Sequence, residues 1–311
     1  MRPELKDKLH GLLVPIVTPM RSDFSLALEE VPSHIEYLLD GGVEVVIPCG
    51  STGEFPSLTD EERCLMIEAT VKATQGRATV IAGVSDTRIA NVVKLSRFAA
   101  EAGADGVMIT PPYYFLPTDD EVFEFFAEID RGIDIPFLFY NNPATTKFNA
   151  SYDLIERLST LRNFGALKEN NSQPVRYYEE LKLFGDRFPV IPAGEPPAVF
   201  NVLSGAPGFM SVAANFNPSL IGDLLSAARD HRIEDAFEAF EKLRAYRSIF
   251  EARNMRGYPL YIVFAKLAVN MIGIPVGPPR LPLRAPSMEE AARVRDVLQN
   301  VMALNLTAEG A

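Results

Sequence analysis

Short apolar runs alternate with helical patterns along most of this 311-residue chain. The runs cover residues 11–18, 43–48, 78–84, 104–110, 135–140, 164–168, 188–192 and 208–212. They are rich in Val, Ile, Leu and Phe and bounded by Gly, Pro or polar residues, which suits strands buried on both faces. Between them the apolar spacing predicts helices over 28–41, 59–75, 87–102, 119–131, 150–160, 173–184, 195–204 and 217–230. Thr59 with Glu62 is a capping-box start for the second helix. Strands alternating with helices demand a parallel sheet. The repeat is about 28 residues over about 220, and eight such units predict closure into an α/β (β/α)8 TIM barrel. A doubly wound open sheet is the competing arrangement, weakened because no strand runs into a G-x-G-x-x-G turn.

Beyond residue 231 the pattern becomes helical only, over 233–251, 258–272 and 288–303, with the proline-rich Ile274 to Arg280 between the last two. The expected division is a barrel over 1–231 and a C-terminal helical extension, 232–311, packed on it. The tail after Leu304 is expected to be loose.

In such a barrel the chemistry sits at the C-terminal ends of the strands. Strand six, Phe164-Gly165-Ala166-Leu167-Lys168, ends in a lysine. A lysine kept from water loses solvation, its pKa falls, and the neutral amine can attack a ketone to form a Schiff base. The plain alternative is a lysine that reaches solvent where its strand stops. Strand two ends in Gly50-Ser51-Thr52-Gly53-Glu54, whose backbone N–H groups suit a carboxylate, or which is simply a polar loop. Strand four ends in Pro111-Pro112-Tyr113-Tyr114, and aromatic packing is the favoured role for Tyr113. Strand five ends in Tyr140-Asn141-Asn142-Pro143, where Tyr140 is either a proton carrier or a half-buried structural phenol. Strand seven runs into Gly194, which lets a ligand approach the backbone.

Competing chemistries are poorly supplied. The three histidines, His10, His34 and His231, lie away from these loops, which disfavours Ser-His-Asp, Cys-His and most zinc sites. Cys49 and Cys64 form no framework and no metal-ligand spacing, as expected of reduced thiols in a cytoplasmic protein. A net charge of −11 argues against nucleic acid and anionic membranes as partners. No run is long enough to span a bilayer, and the N-terminus lacks a secretory signal. Hydroxyls, a phenol, an amine and an anion nest on one rim favour the Schiff-base reading of Lys168.

These blocks also resemble the dihydrodipicolinate synthase/N-acetylneuraminate lyase family. The match runs from Val14-Pro15-Ile16-Val17-Thr18-Pro19 to Gly277-Pro278-Pro279-Arg280-Leu281-Pro282-Leu283. Its most specific part is the ordered set Gly50 to Glu54, Pro112-Tyr113-Tyr114, Tyr140-Asn141-x-Pro143 and Gly165-x-x-Lys168-Glu169. The resemblance implies a homotetramer built from dimers that acts on pyruvate or a longer 2-oxo acid, with no metal and no cofactor. It implies that Lys168 forms the imine and that Tyr140 shuttles protons. It implies further that Ser51 and Thr52, with their backbone N–H groups, hold the substrate carboxylate, with Gly53 beside them in the binding loop. Tyr114 matches a tyrosine that some members insert into a neighbouring subunit's site. Synthases proper carry an arginine two residues after the proline of the tyrosine motif, where Thr145 stands here. A threonine supplies no bidentate carboxylate clamp, and Lys147 replaces it only as a point charge. Gly53-Glu54-Phe55-x-Ser57-Leu58 and Arg256-Gly257-Tyr258 with Lys266 look instead like the keto-deoxy sugar acid dehydratases. Two other roles stay open: dihydrodipicolinate synthase itself, and a non-catalytic barrel that senses a 2-oxo acid. The presence of both Lys168 and Tyr140 counts against the sensor.

Overall fold

A computed structural model of the chain describes residues 3–171, 173–251 and 260–307. Eight parallel strands form one sheet: β1 (Gly11–Pro15), β2 (Val45–Ile47), β3 (Thr79–Gly83), β4 (Gly106–Ile109), β5 (Phe137–Asn141), β6 (Phe164–Glu169), β7 (Val190–Pro192) and β8 (Gly208–Met210). Their order is β7-β6-β5-β4-β3-β2-β1-β8, so β8 pairs with β1. The remaining seam between β7 and β8 is a single parallel bridge, Ala193 to Met210. The chain is therefore a (β/α)8 TIM barrel, as the repeat predicts.

Side chains on a strand alternate between faces, so each strand feeds two cores. The inner one holds Leu13, Val45, Ile47, Ile81, Met108 and Leu138 among others. The outer and larger one, between sheet and helices, holds Val14, Val46, Val80, Phe137, Phe139 and Leu167. The first helix, α1 (Pro3–Lys6), is absent from the sequence expectations. It sends Leu5, with Leu9 beyond it, into the inner core as a plug. Gly165 makes room for the plug: a Cβ there would come within 2.6 Å of the Leu5 side chain. Burying a leucine in this way contributes about 1.5–3 kcal/mol.

The outer ring comprises α2 (Val31–Asp40), α3 (Asp60–Thr74), α4 (Ile89–Ala102), α5 (Asp119–Gly132), the short α6 (Pro143–Thr146), α7 (Tyr152–Leu158), α8 (Pro174–Phe184), α9 (Ala198–Leu203) and α10 (Pro218–Arg229). The capping box at Thr59 and Glu62 is present, and Thr118 with Glu121 makes a second. The helix expected over 195–204 starts only at Ala198, because Pro196 and Pro197 disfavour helical backbone in the residues before them.

Beyond the ring lie α11 (Ile233–Glu251), α12 (Leu260–Met271) and α13 (Met288–Asp296), the last running into a π turn over 297–301. Leu243, Phe264, Val269, Val294 and Leu298 from this region join the outer core. The tail is not loose through residue 307. The Thr307 amide donates to the Met271 carbonyl at 2.8 Å, and Leu304 and Leu306 pack on the core, so apolar burial and a backbone bond hold it. Arg256, Gly257 and Tyr258 lie outside the described residues. Among the described residues no helix is long and apolar enough to cross a membrane.

Candidate active site

The strands β5 and β6 set the central pair. Their register places Tyr140 directly opposite Lys168. Alternation sends both into the barrel, in line with Leu138 and Ala166 one step below. Lys168 is only 4% exposed. Its Nζ lies 3.6 Å from Met108 Sδ and 3.6 Å from the centroid of the Tyr140 ring. Among the described residues no carboxylate lies within ion-pair distance of it. Burial lowers its pKa to about 7, so a large share of the amine is neutral at physiological pH.

Tyr140 is buried as well. Burial drives its phenol far above the usual range, and the charges of Tyr261 and Glu169 add to this. Asn170 and Ser51 oppose the rise by hydrogen bonding to the phenol oxygen. The Asn170 amide donates at 3.5 Å, a long contact of the kind that tightens once substrate binds. Asn142 orients Asn170, accepting its other N–H at 3.0 Å. Asn170 is not singled out by the strand-end reading, yet it lies two residues past Lys168, and the period of two carries the inner face on to it. Gly194, at φ +87°, faces the same amide: a Cβ there would approach Asn170 Oδ1 to 2.5 Å. The close neighbour that requires a glycine here is thus a side chain of the site.

The strand-two loop is anchored from the C-terminal helices. Thr52 and Gly53 are buried, and the Gly53 carbonyl accepts from Thr18 Oγ1 at 2.7 Å. Glu54 follows in left-handed backbone, φ 58°, with its carboxylate turned inward. Lys266 of α12 pairs with it at 3.0 Å and also donates to the Thr18 and Pro278 carbonyls. The Arg280 amide donates to the other Glu54 oxygen at 2.7 Å. All three Lys266 protons and both Glu54 oxygens have a partner, so the pair braces the loop that carries Ser51 and Thr52. Lys266→Met should leave Glu54 an uncompensated buried charge and lower stability by about 3–5 kcal/mol in urea denaturation. A loss below about 1 kcal/mol would show that water reaches the pair.

Two candidate residues stand apart from this cluster. Tyr114 is 81% exposed and its ring packs edge-on against Phe115. Thr145, in α6, is exposed and accepts a hydrogen bond from Asn142 at 3.1 Å. Lys147 directs its ammonium back to the Ala144 carbonyl, 2.7 Å away. Tyr113 packs against Phe55, as expected of a structural aromatic. Burial pushes the Cys49 thiol up to about 12, which leaves it inert.

The family model described as the dihydrodipicolinate synthetase family matches residues 8–301. The chain belongs to this family. Among its relatives, the 4-hydroxy-tetrahydrodipicolinate synthase of Methanosphaerula palustris is 35% identical, covering 93% of this chain and 98% of that protein. The enzyme of the same name from Methanothrix thermoacetophila is 32% identical over 93% and 95%. The crystal structure of dihydrodipicolinate synthase from Aquifex aeolicus superposes with a TM-score of 0.88 at 31% identity, covering 96% of this chain and all of that one. Members of the dihydrodipicolinate synthetase family are class I lyases that work through a lysine Schiff base.

Proposed function

We propose that Lys168 is the Schiff-base lysine and that the substrate is a 2-oxo acid with an uncharged, hydroxylated distal half, a 2-keto-3-deoxy sugar acid. The observation that carries this reading is the buried, partly neutral Lys168 amine over the ring of Tyr140. Nζ attacks the C2 carbonyl, and the carbonyl oxygen leaves as water after proton transfers through Tyr140. The protonated imine then draws electrons from C3. Loss of the C3 proton followed by expulsion of the C4 hydroxyl gives dehydration. Deprotonation of that hydroxyl with C3–C4 cleavage gives an aldehyde and an enamine, which hydrolyses to pyruvate. Ser51, Thr52 and the Gly53 backbone hold the carboxylate. The amides of Asn170 and Asn142 suit hydroxyl groups, and Thr145 at the mouth offers no charge to a second carboxylate.

A panel of keto-deoxy sugar acids and simple 2-oxo acids, reduced with borohydride, tests this. One adduct, on Lys168, is expected, with release of pyruvate or water from the best substrate. Absence of an adduct with every compound would overturn the reading. The names of the curated relatives favour a second reading, synthase action on pyruvate and aspartate semialdehyde. Without the arginine clamp, that turnover is expected to be at least about tenfold slower than the best sugar acid. Parity or better would decide for the synthase.

We further propose that the chain works as a homotetramer whose dimer contact covers Tyr114. Tyr114, Phe115 and Leu116 are each more than two-thirds exposed on one loop, an apolar patch that a second copy would cover. Sedimentation should give a tetramer, and Phe115→Glu should dissociate it. A monomeric wild type would overturn this.

A further inference from the structure

The pair one step beyond Tyr140 and Lys168 is also in register: Asn141 lies opposite Glu169. These two side chains face the outer layer, away from the barrel interior. Asn141 Nδ2 donates to Glu169 Oε2 at 2.8 Å and to Asn149 Oδ1 at 3.1 Å, while its Oδ1 accepts from the Ala150 amide at 3.2 Å. Asn141 therefore ties together the ends of the two site strands and the segment leading into α7.

Behind Glu169 stands a second buried carboxyl, Glu180 of α8. Arg176 is the cation facing both. Its Nε is 3.6 Å from Glu169 Oε2, its Nη2 is 2.8 Å from Glu180 Oε1, and Nη2 also donates to the Ala150 carbonyl at 2.6 Å. The remaining titratable groups around the pair are Tyr152 on α7, Tyr177 on α8 and, from the inner face of β5, Tyr140, whose phenol feels the Glu169 charge. Tyr152 lies under the Arg176 guanidinium and donates to Glu179, and Tyr177 donates to the Val190 carbonyl. Among the described residues, no N–H or hydroxyl points along a hydrogen-bonding direction at Glu169 Oε1 or at either Glu180 oxygen. Arg176 reaches Glu180 Oε1 electrostatically, but off the line of its N–H bonds. Two buried carboxylates beside one guanidinium would leave an excess negative charge with no water to solvate it. A proton held between the two carboxyls removes that charge and supplies the missing donor. Burial is the main cause, and it raises both acids, Glu180 to about 9.

We propose that Glu169 is a positioning residue: a proton shared with Glu180, together with the Asn141 bond, holds the ends of β5 and β6, and with them Tyr140 and Lys168, in their working alignment. Loss of that proton then sets an alkaline limit to activity. The proposal rests on the Schiff-base reading of Lys168.

The test is kcat from about pH 6 to about pH 10 on the best panel substrate, for wild type, Glu180→Gln and Glu169→Gln. Either glutamine offers an N–H to the remaining carboxylate at every pH and so mimics the shared proton. Wild type should lose about tenfold or more in kcat above about pH 9, while both variants keep a flat alkaline side. Melting temperature should follow the same logic. The folded chain holds a proton that the unfolded chain releases near pH 4–5, so wild type loses stability relative to Glu180→Gln as pH rises from there to about 9. A wild-type alkaline limb retained in both variants would overturn the proposal, as would a wild type with no such limb. Wild-type trapping separates the two failures. A missing Lys168 adduct sinks the Schiff-base reading and the positioning role together. An adduct with unchanged limbs sinks the positioning role alone.

Discussion

Lys168→Met is expected to abolish borohydride trapping and catalysis while making the protein more stable. The first effect follows from chemistry, since methionine has no nucleophilic amine and the other buried lysine among the described residues, Lys266, is held in its ion pair with Glu54. The second follows from burial. The pKa of Lys168 falls to about 7, while an unfolded lysine titrates near 10.4, so folding at neutral pH expels a proton or buries a charge. This penalty is full at and below about pH 7 and fades as pH rises towards 10. Methionine carries no such penalty and fills similar space among Met108, Ala166 and Ile191. The melting temperature of Lys168→Met should therefore exceed wild type at pH 7 and below, by a stability difference of about 1–4 kcal/mol, and converge near pH 10. Unchanged stability at pH 7 would mean that water solvates the amine. Residual activity comparable to wild type would remove Lys168 from the reaction altogether. In wild type, the rate of adduct formation should rise through about pH 7 and level off above it.

Tyr140→Phe should lower kcat by about 10²–10⁴-fold, the usual contribution of a placed general acid–base. The ring that covers the Lys168 ammonium remains, so the amine keeps its surroundings. What disappears is the oxygen that bonds Ser51 and Asn170. Trapping should slow and not vanish, because water can still take the phenol's place in the proton transfers. Stability should change by about 1 kcal/mol at most, the worth of a neutral hydrogen bond. Measuring kcat beside the trapping rate separates these roles. A kcat within about threefold of wild type would show that another group carries the proton.

The resemblance blocks and the repeat together identify much of this site. Lys168, Tyr140 and Ser51 sit at strand ends, and the structure brings those three together. Asn170 escapes because it follows the strand in a polar run, Asn170-Asn171, that looks like an ordinary loop. Glu54 and Lys266 are 212 positions apart, and no local pattern signals their pairing. Glu180 looks like a surface residue of α8, flanked by Glu179 and Lys182, until the helix is rotated against the sheet. Tyr114 and Thr145 show the converse. Both are named by motif, and both face solvent in a single chain.

Two kinds of information are at work here. Alternation of apolar strands with amphipathic helices is a local property that demands a parallel sheet covered on both faces, and eight such units predict its closure into a barrel. The end of the apolar run at 164–168 likewise assigns Lys168 to the end of its strand. Whether that lysine is solvated, which residue lies across from it, and what braces the pair from behind depend on neighbouring strands, on α8 and on α12. Those contacts join residues far apart in the chain. Desolvation, which turns an ordinary ammonium into a partly neutral amine, exists only once the barrel has closed around it.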